Sequence, residues 1–393
     1  MDIKKLIRPE LAAMKGYTPI EPLDILSQRA KLPVERIVKL DGNENPYGCS
    51  PKVYQALADY SYYHIYPDPQ QQVLREALEK YTSLGRQHIV CGSGSDELID
   101  LILRLFLEPG DKTINCSPTF GMYPFSTEVC GGKVIDVPRD EHFAIDIAGI
   151  KKVLNEKTKV IFVASPNNPT GNTITEREIS ELVETGKIVV VDEAYFEFSN
   201  VTMANLVPNY SNLIVLRTFS KWAGLAGLRI GYGIFPIEIA SYLMGIKQPY
   251  NINTAAQVAV LASLADINYL RDNIAKIVAE WERLFGKLKE IDWLKPYPSQ
   301  ANFILCYLHC HSEPERSEGE EPPAKKIWRQ LQKKGIFIRY FDSPRLKDCL
   351  RISVGKPEDT DALIEALRTL SVIARSEATK QSQPFPSPLK GED

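Results

Sequence analysis

Between residues 89 and 234, short apolar runs rich in valine and isoleucine recur between longer segments of mixed polarity. The runs fall at 89–90, 113–116, 133–137, 159–164, 188–191, 213–216 and 229–234. Several are nearly continuous in apolar side chains instead of alternating, the pattern of strands buried on both faces of a mainly parallel sheet. Helical segments separate them. Thr175 and Glu178 have capping-box spacing, which predicts a helix to about residue 185, and Gly186 ends it. This alternation predicts an α/β fold with an open sheet, in which ligands gather beyond the carboxyl ends of the strands.

The texture changes near residue 253. Residues 253–288 read as long helices rich in Ala, Leu, Lys and Glu, followed by strands at 303–308, 336–340 and 350–354 and a closing helix at 357–370. A large domain over 46–252 and a smaller α+β domain over 253–370 are expected, with residues 1–45 joining the small domain. A chain of 393 residues exceeds what a single core usually serves. Two polar, charged, proline-bearing stretches, 311–323 and 371–393, are expected to be disordered.

Composition narrows the class of function. Apolar residues make up 44% and charged residues 25%, an ordinary globular balance. A formal net charge of −3 offers nothing special to nucleic acid or to an anionic membrane. No window approaches the roughly 18 apolar residues of a spanning helix. The N-terminal residues contain no apolar signal-like run, so a cytoplasmic location is expected. Seven cysteines without regular spacing read as reduced thiols. His309, Cys310 and His311 lack a second ligand pair, and no metal is expected.

Three segments place chemistry-bearing residues at predicted strand ends. In CGSGSDELIDLIL (91–103) a strand runs into a glycine turn, and a helix opens at Ser95 or Asp96. Free backbone N–H groups and the helix dipole there suit an anion. Glu97 stands where a dinucleotide fingerprint needs glycine, so the alternative is a plain tight turn. SPNNPTG (165–171) is either a structural corner or a loop that aims an asparagine at a ligand. The strand at 188–191 leads into Asp192 and then Tyr195, and a carboxylate finishing an apolar strand is costly without a cationic partner.

RTFSKWAGLAGLRIG (217–231) supplies Ser220, Lys221 and Arg229. The apolar neighbours Phe219, Trp222 and Leu225 would depress the amine pKa of Lys221 and favour its nucleophilic neutral form; a solvated loop lysine is the alternative. Together the three segments put an anion site, a carboxylate, a tyrosine, an asparagine, a lysine and an arginine at one sheet edge. That set matches a planar cationic heterocycle bearing a phosphate and an aldehyde.

The chain resembles the fold-type-I pyridoxal-phosphate aminotransferases, and within them the histidinol-phosphate group. The similarity runs from about Tyr17 to about Leu370. It is carried by KLDGNENPYG (39–48), YPDP (66–69), GSGSDEL (92–98), SPTFGMY (117–123), PNNPTG (166–171), VDEAYFEF (191–198), RTFSKWAGLAGLRIGY (217–232), PYNIN (249–253), SQANF (299–303) and LRISVG (350–355). The resemblance implies pyridoxal 5'-phosphate as cofactor and a seven-stranded, mainly parallel sheet in the large domain. It also assigns roles. Lys221 would bond the cofactor aldehyde and act as general base, and Asp192 would hold the protonated ring nitrogen. Tyr195 and Asn168 would bind the phenolic oxygen, while Ser95, Asp96, Ser220 and Arg229 would hold or flank the phosphate. Phe120 would cover the ring face, without the hydroxyl that many relatives carry there. Tyr66 would reach the phosphate of a neighbouring subunit, implying a homodimer.

The resemblance further implies a pocket shared by histidinol phosphate and glutamate or 2-oxoglutarate, with Arg351 and Arg339 binding their anionic groups. Tyr17 and Asn43 belong to the segment that closes over substrate. A surface charge on an edge strand is the alternative for Arg339. The runner-up activity is an aromatic amino-acid aminotransferase. A phosphothreonine decarboxylase and a non-catalytic ligand-sensing domain stand behind it; residues 1–40 leave little room for the DNA-binding domain of such a sensor, and Lys221 with Asp192 argues for a working enzyme.

Overall fold

The computed structural model describes residues 3–309 and 321–381. Among them twelve strands form two sheets. In chain order they are β1 (Val38–Leu40), β2 (Ile89–Gly92), β3 (Lys112–Asn115), β4 (Lys133–Asp136), β5 (Thr158–Ala164), β6 (Ile188–Asp192), β7 (Leu213–Thr218), β8 (Gly231–Ile234), β9 (Leu294–Pro296), β10 (Phe303–Leu308), β11 (Ile336–Tyr340) and β12 (Cys349–Ser353). The larger sheet has seven strands in the order β2-β8-β7-β6-β5-β3-β4. Only β8 runs against its neighbours. Because β8 is antiparallel to both β2 and β7, β2 points the same way as the central strands. The turn after β2 therefore opens at the same edge as the ends of β5, β6 and β7.

Continuous apolar runs make these central strands, because both faces of the sheet are covered by helices. Ile161, Val163, Val189, Val191 and Val215 face one core, and Val160, Phe162, Val190, Ile214 and Leu216 face the other. Each side chain so buried stabilises the fold by roughly 1.5–3 kcal/mol before entropy is counted. Thr175 caps the helix Glu176–Val183 through both bonds of a capping box, as its spacing predicts.

The smaller sheet runs β1-β11-β12-β10-β9, with β1 parallel to β11 and the other pairs antiparallel. Its core gathers Leu40, Ile304, Ile338, Ile352 and Leu367. The passage between the two cores is not at residue 252. Ala256, Ala259 and Val260 of the helix Thr254–Ala265 pack into the large-domain core, on the helices Pro51–Asp59 and Gln72–Thr82. In the helix Ile267–Lys289, Leu270 still belongs to that core, whereas Ile277, Leu284 and Leu288 belong to the small one. The change of texture at 253 marks a rise in helix content, while the domain changes one helix later.

The two stretches expected to be disordered also differ. Residues 311–320 lie outside the described residues, but Pro323 opens the helix Pro323–Lys333, where a missing N–H costs nothing. The last helix runs Pro357–Gln381, past residue 370, since SVIARSEATKQ contains neither proline nor glycine to stop it. Residues 382–393 lie outside the described residues, as do Cys310 and His311.

Candidate active site

A cleft of about 1400 Å³ opens at the carboxyl edge of the large sheet, between it and the small domain. All the site residues expected from the sequence line it except Tyr66. Tyr66 is 77% exposed and stacks on Tyr250 with ring centroids 4.5 Å apart, outside the cleft.

Asp192 is the last residue of β6 and is buried. Its Oδ2 accepts a hydrogen bond from the Tyr123 hydroxyl at 2.7 Å and its Oδ1 one from the backbone N–H of Ala194 at 3.0 Å. Burial pushes its pKa up to about 6, against the two hydrogen bonds, which lower it. Among the described residues no basic side chain pairs with it. Tyr123 was not singled out from the sequence, although it closes the SPTFGMY segment. Its hydroxyl finds Asp192 only because β3 lies two strands from β6 in the sheet.

Lys221 lies in the turn after β7, and its Nζ donates to the Gly42 carbonyl at 2.9 Å. Burial first, and then the nearby Arg351 charge, pull its pKa down to about 8. The strand predicted at 229–234 begins only at Gly231, because Arg229 sits in the left-handed region at φ 52° and ends a short turn. Its Nη2 pairs with Asp96 Oδ2 at 2.9 Å.

The helix Ser95–Phe106 starts after Gly94, at φ 77°, with no side chain capping its first turn. A Cβ on Gly94 would lie 2.6 Å from Arg229 Nη2, and one on Gly231 would lie 2.7 Å from the Ser95 nitrogen. Both glycines let backbone and guanidinium close around an open helix start, the geometry of an anion cradle. Ser220 lies beside it, with its hydroxyl accepting from Thr218 Oγ1 at 3.0 Å. Phe120 meets Tyr17 edge-on at 6.5 Å and Tyr123 at 5.6 Å.

The small domain and residues 41–44 supply the opposite wall. Asn43 Nδ2 donates to the Tyr195 hydroxyl at 2.8 Å, while Ser353 and Asn302 hold Asn43 through its side chain and carbonyl. Arg351 Nη1 donates to Asn168 Oδ1 at 2.6 Å, and its Nη2 donates to the Asp41 carbonyl. Its Nε has no partner among the described residues, and burial pulls its pKa down to about 10. Arg339 faces it across the β11–β12 ladder and donates to the Thr18 carbonyl at 3.0 Å.

These residues fit pyridoxal phosphate. A buried carboxylate without a cation, a desolvated amine, an uncapped helix start beside an arginine, and a tyrosine with an asparagine are what a protonated ring, an aldehyde, a phosphate and a phenolic oxygen require. Residues 35–367 match the family Aminotransferase class I and II. The histidinol-phosphate aminotransferase of Dehalococcoides mccartyi (strain 195) is 49% identical over 93% of this chain and 98% of its own length. The chain belongs to the class I and II aminotransferases. Histidinol-phosphate aminotransferase 1, chloroplastic, from Arabidopsis thaliana is also 49% identical, over 92% of this chain and 85% of that protein. Among solved structures, the histidinol-phosphate aminotransferase of Sinorhizobium meliloti in complex with pyridoxal-5'-phosphate superposes with a TM-score of 0.82. It is 26% identical and covers 93% of this chain and 98% of that one. No helix among the described residues is long and apolar enough to cross a membrane.

Proposed function

We propose that this aminotransferase uses pyridoxal phosphate to exchange the amino group of histidinol phosphate with 2-oxoglutarate, giving imidazole acetol phosphate and glutamate. One observation carries the reading: Lys221, Asp192, Arg339 and Arg351 meet in a single cleft of a chain 49% identical to histidinol-phosphate aminotransferases. When bound, the cofactor supplies an aldehyde for the amine and a ring that takes up the electron pair of the carbon losing its proton.

The chain's own residues do the rest. Lys221 would attach to the cofactor's aldehyde at rest, and its neutral Nζ, once displaced by the substrate amine, would take the proton from the amine-bearing carbon. Lys221 would also return that proton, acting as acid as well as base. Asp192 would hold the proton on the ring nitrogen, with its carboxylate fixed by Tyr123. Tyr195, oriented by Asn43, and Asn168 hydrogen-bond the phenolic oxygen. Ser95, Asp96, Ser220 and Arg229 hold or flank the phosphate, and Phe120 covers the ring face. Tyr17 closes the outer side. Amino donor and keto acid use one site in turn, so the kinetics are ping-pong.

Arg351 and Arg339 select the substrates, since a planar guanidinium suits a phosphate and a carboxylate alike. Arg351→Ala is expected to lower kcat/KM for histidinol phosphate and glutamate together, by about ten- to a hundredfold. Arg339→Ala is expected to hurt the phosphate-bearing donor more, because a dianion draws more from a second guanidinium. Steady-state kinetics with each donor at fixed ionic strength decide it. Equal losses in Arg339→Ala remove its phosphate-specific role.

A homodimer goes with this reading. Tyr54, Tyr62, Ile65, Tyr66 and Tyr250 are exposed, and aromatic surface of this kind marks protein contact. Tyr66 would reach the cofactor phosphate held by a second copy.

A further inference from the structure

The two domains meet at a second place, away from residues 41–44. The large-domain loop 138–146 carries Phe143, whose backbone lies in the left-handed region at φ 63°, a rare position for a bulky side chain. Arg139 and Asn172 hold it there, donating to the Phe143 carbonyl at 3.0 and 2.8 Å. Arg139 is itself buried and also donates to the Cys116 carbonyl at 3.1 Å. The strained backbone sends the ring out of its own domain. Phe143 is 7% exposed, clusters with Leu305, Leu346 and Cys349 of the small domain, and meets Tyr297 edge-on at 5.2 Å.

From the small domain Arg345 reaches back. Its guanidinium donates to the carbonyls of Ser117, Arg139 and Asp140 at 3.3, 2.6 and 2.8 Å, and its Cζ lies 5.7 Å from the centre of the Phe143 ring. Phe341 packs on the same cluster. The guanidinium carbons of Arg339 and Arg351 each lie 5.7 Å from the Phe341 ring centre. A continuous set of contacts thus runs from a large-domain loop to both arginines.

We propose that Phe143 and Arg345 form an interdomain latch that sets where Arg339 and Arg351 stand over the cleft. Phe143 is a positioning residue, whereas Arg345 also lines the cleft, so the Phe143 variant is the one that isolates positioning. The inference rests on the reading that the two arginines bind the anionic groups of the substrates. Phe143 does not line the cleft, so it acts only through the small domain. Losing the latch lets the small domain sample other placements, and both substrates then bind a less populated arrangement.

The clean variant is Phe143→Gly, which removes the ring and accepts the left-handed backbone without cost. Arg345→Gln is its companion. In the cofactor-loaded enzyme both are expected to raise KM for histidinol phosphate and 2-oxoglutarate together by about tenfold, with kcat within about threefold of the parent. Cofactor absorbance and thermal midpoint serve as controls for folding. The second readout is the distance distribution between spin labels at Lys152→Cys and Lys333→Cys, with Cys49, Cys130 and Cys310 replaced by serine. The latch predicts a broader distribution in both variants. Unchanged KM values overturn it, and so do raised KM values with an unmoved distance distribution. If Arg351→Ala binds both substrates normally, the assignment of that arginine fails, and the interdomain distance still decides the latch.

Discussion

Replacing Lys221 with alanine is expected to leave a folded protein that binds pyridoxal phosphate but does not turn over. Apart from its neighbour Ser220, the residues that match the phosphate, ring nitrogen and phenolic oxygen lie outside the turn that carries Lys221, so the cofactor keeps most of its contacts. What disappears is both the covalent attachment and the buried amine that would move the proton, a loss of about ten-thousandfold or more. Borohydride reduction of the parent enzyme followed by peptide mapping locates the attachment, and an adduct on another lysine contradicts the assignment. The pKa adds a second signature. With its pKa pulled down to about 8 by burial, Lys221 is largely neutral above that pH. The rate at which cofactor-free protein takes up the aldehyde should rise with pH and level off above about 8, whereas an ordinary lysine would keep accelerating toward about 10.

Much of this was legible in the sequence because local signals suffice for it. Continuous runs such as Val189–Val190–Val191 name a doubly covered strand, and the residue after such a run is placed at the sheet edge whatever the strand order. Lys221, Asp192 and the helix start at Ser95 were found that way, whereas the choice of Asn168 over Asn167 came from the family resemblance. The Tyr123–Asp192 hydrogen bond was not, since it depends on which strands lie side by side. The hold of Ser353 on Asn43 joins residues at opposite ends of the chain. Arg229 read as strand, yet its left-handed backbone comes from the turn it closes. Phe143 carries no signal of its own in the sequence, and only the packed domains show where its ring goes. The role proposed for Tyr66 depends on a second copy of the chain, and its exposure leaves the ring free to meet one.

The second large effect is expected at Asp192. Asp192→Asn keeps the shape and a hydrogen bond to Tyr123 but cannot hold a proton on the ring nitrogen. Turnover should fall by at least about a hundredfold with the fold retained, as when a preorganised charge is removed from an active site. Near-normal turnover would mean that the ring lies elsewhere. Stability carries an independent test. In the cofactor-free chain burial raises the Asp192 pKa to about 6, above its unfolded value near 4. The folded state therefore binds this proton more tightly than the unfolded chain. The group's contribution to stability is complete below about pH 4 and is lost as pH rises through about 6. A cationic ring beside the carboxylate removes that loss. The gain in Tm on adding cofactor should therefore grow as pH rises through about 6, and Asp192→Asn should flatten the dependence.

The identity of the amino donor can be read from a single half-reaction. The yellow, cofactor-loaded enzyme is mixed separately with histidinol phosphate, phenylalanine, tyrosine and phosphothreonine, without a keto acid, and the loss of yellow absorbance is followed in time. Histidinol phosphate is expected to convert the cofactor to its amine form with the highest second-order rate, leaving phenylalanine and tyrosine behind by about tenfold or more, because they lack the dianion that Arg339 and Arg351 are placed to bind. A preference of that size for phenylalanine or tyrosine would instead make the chain an aromatic amino-acid aminotransferase.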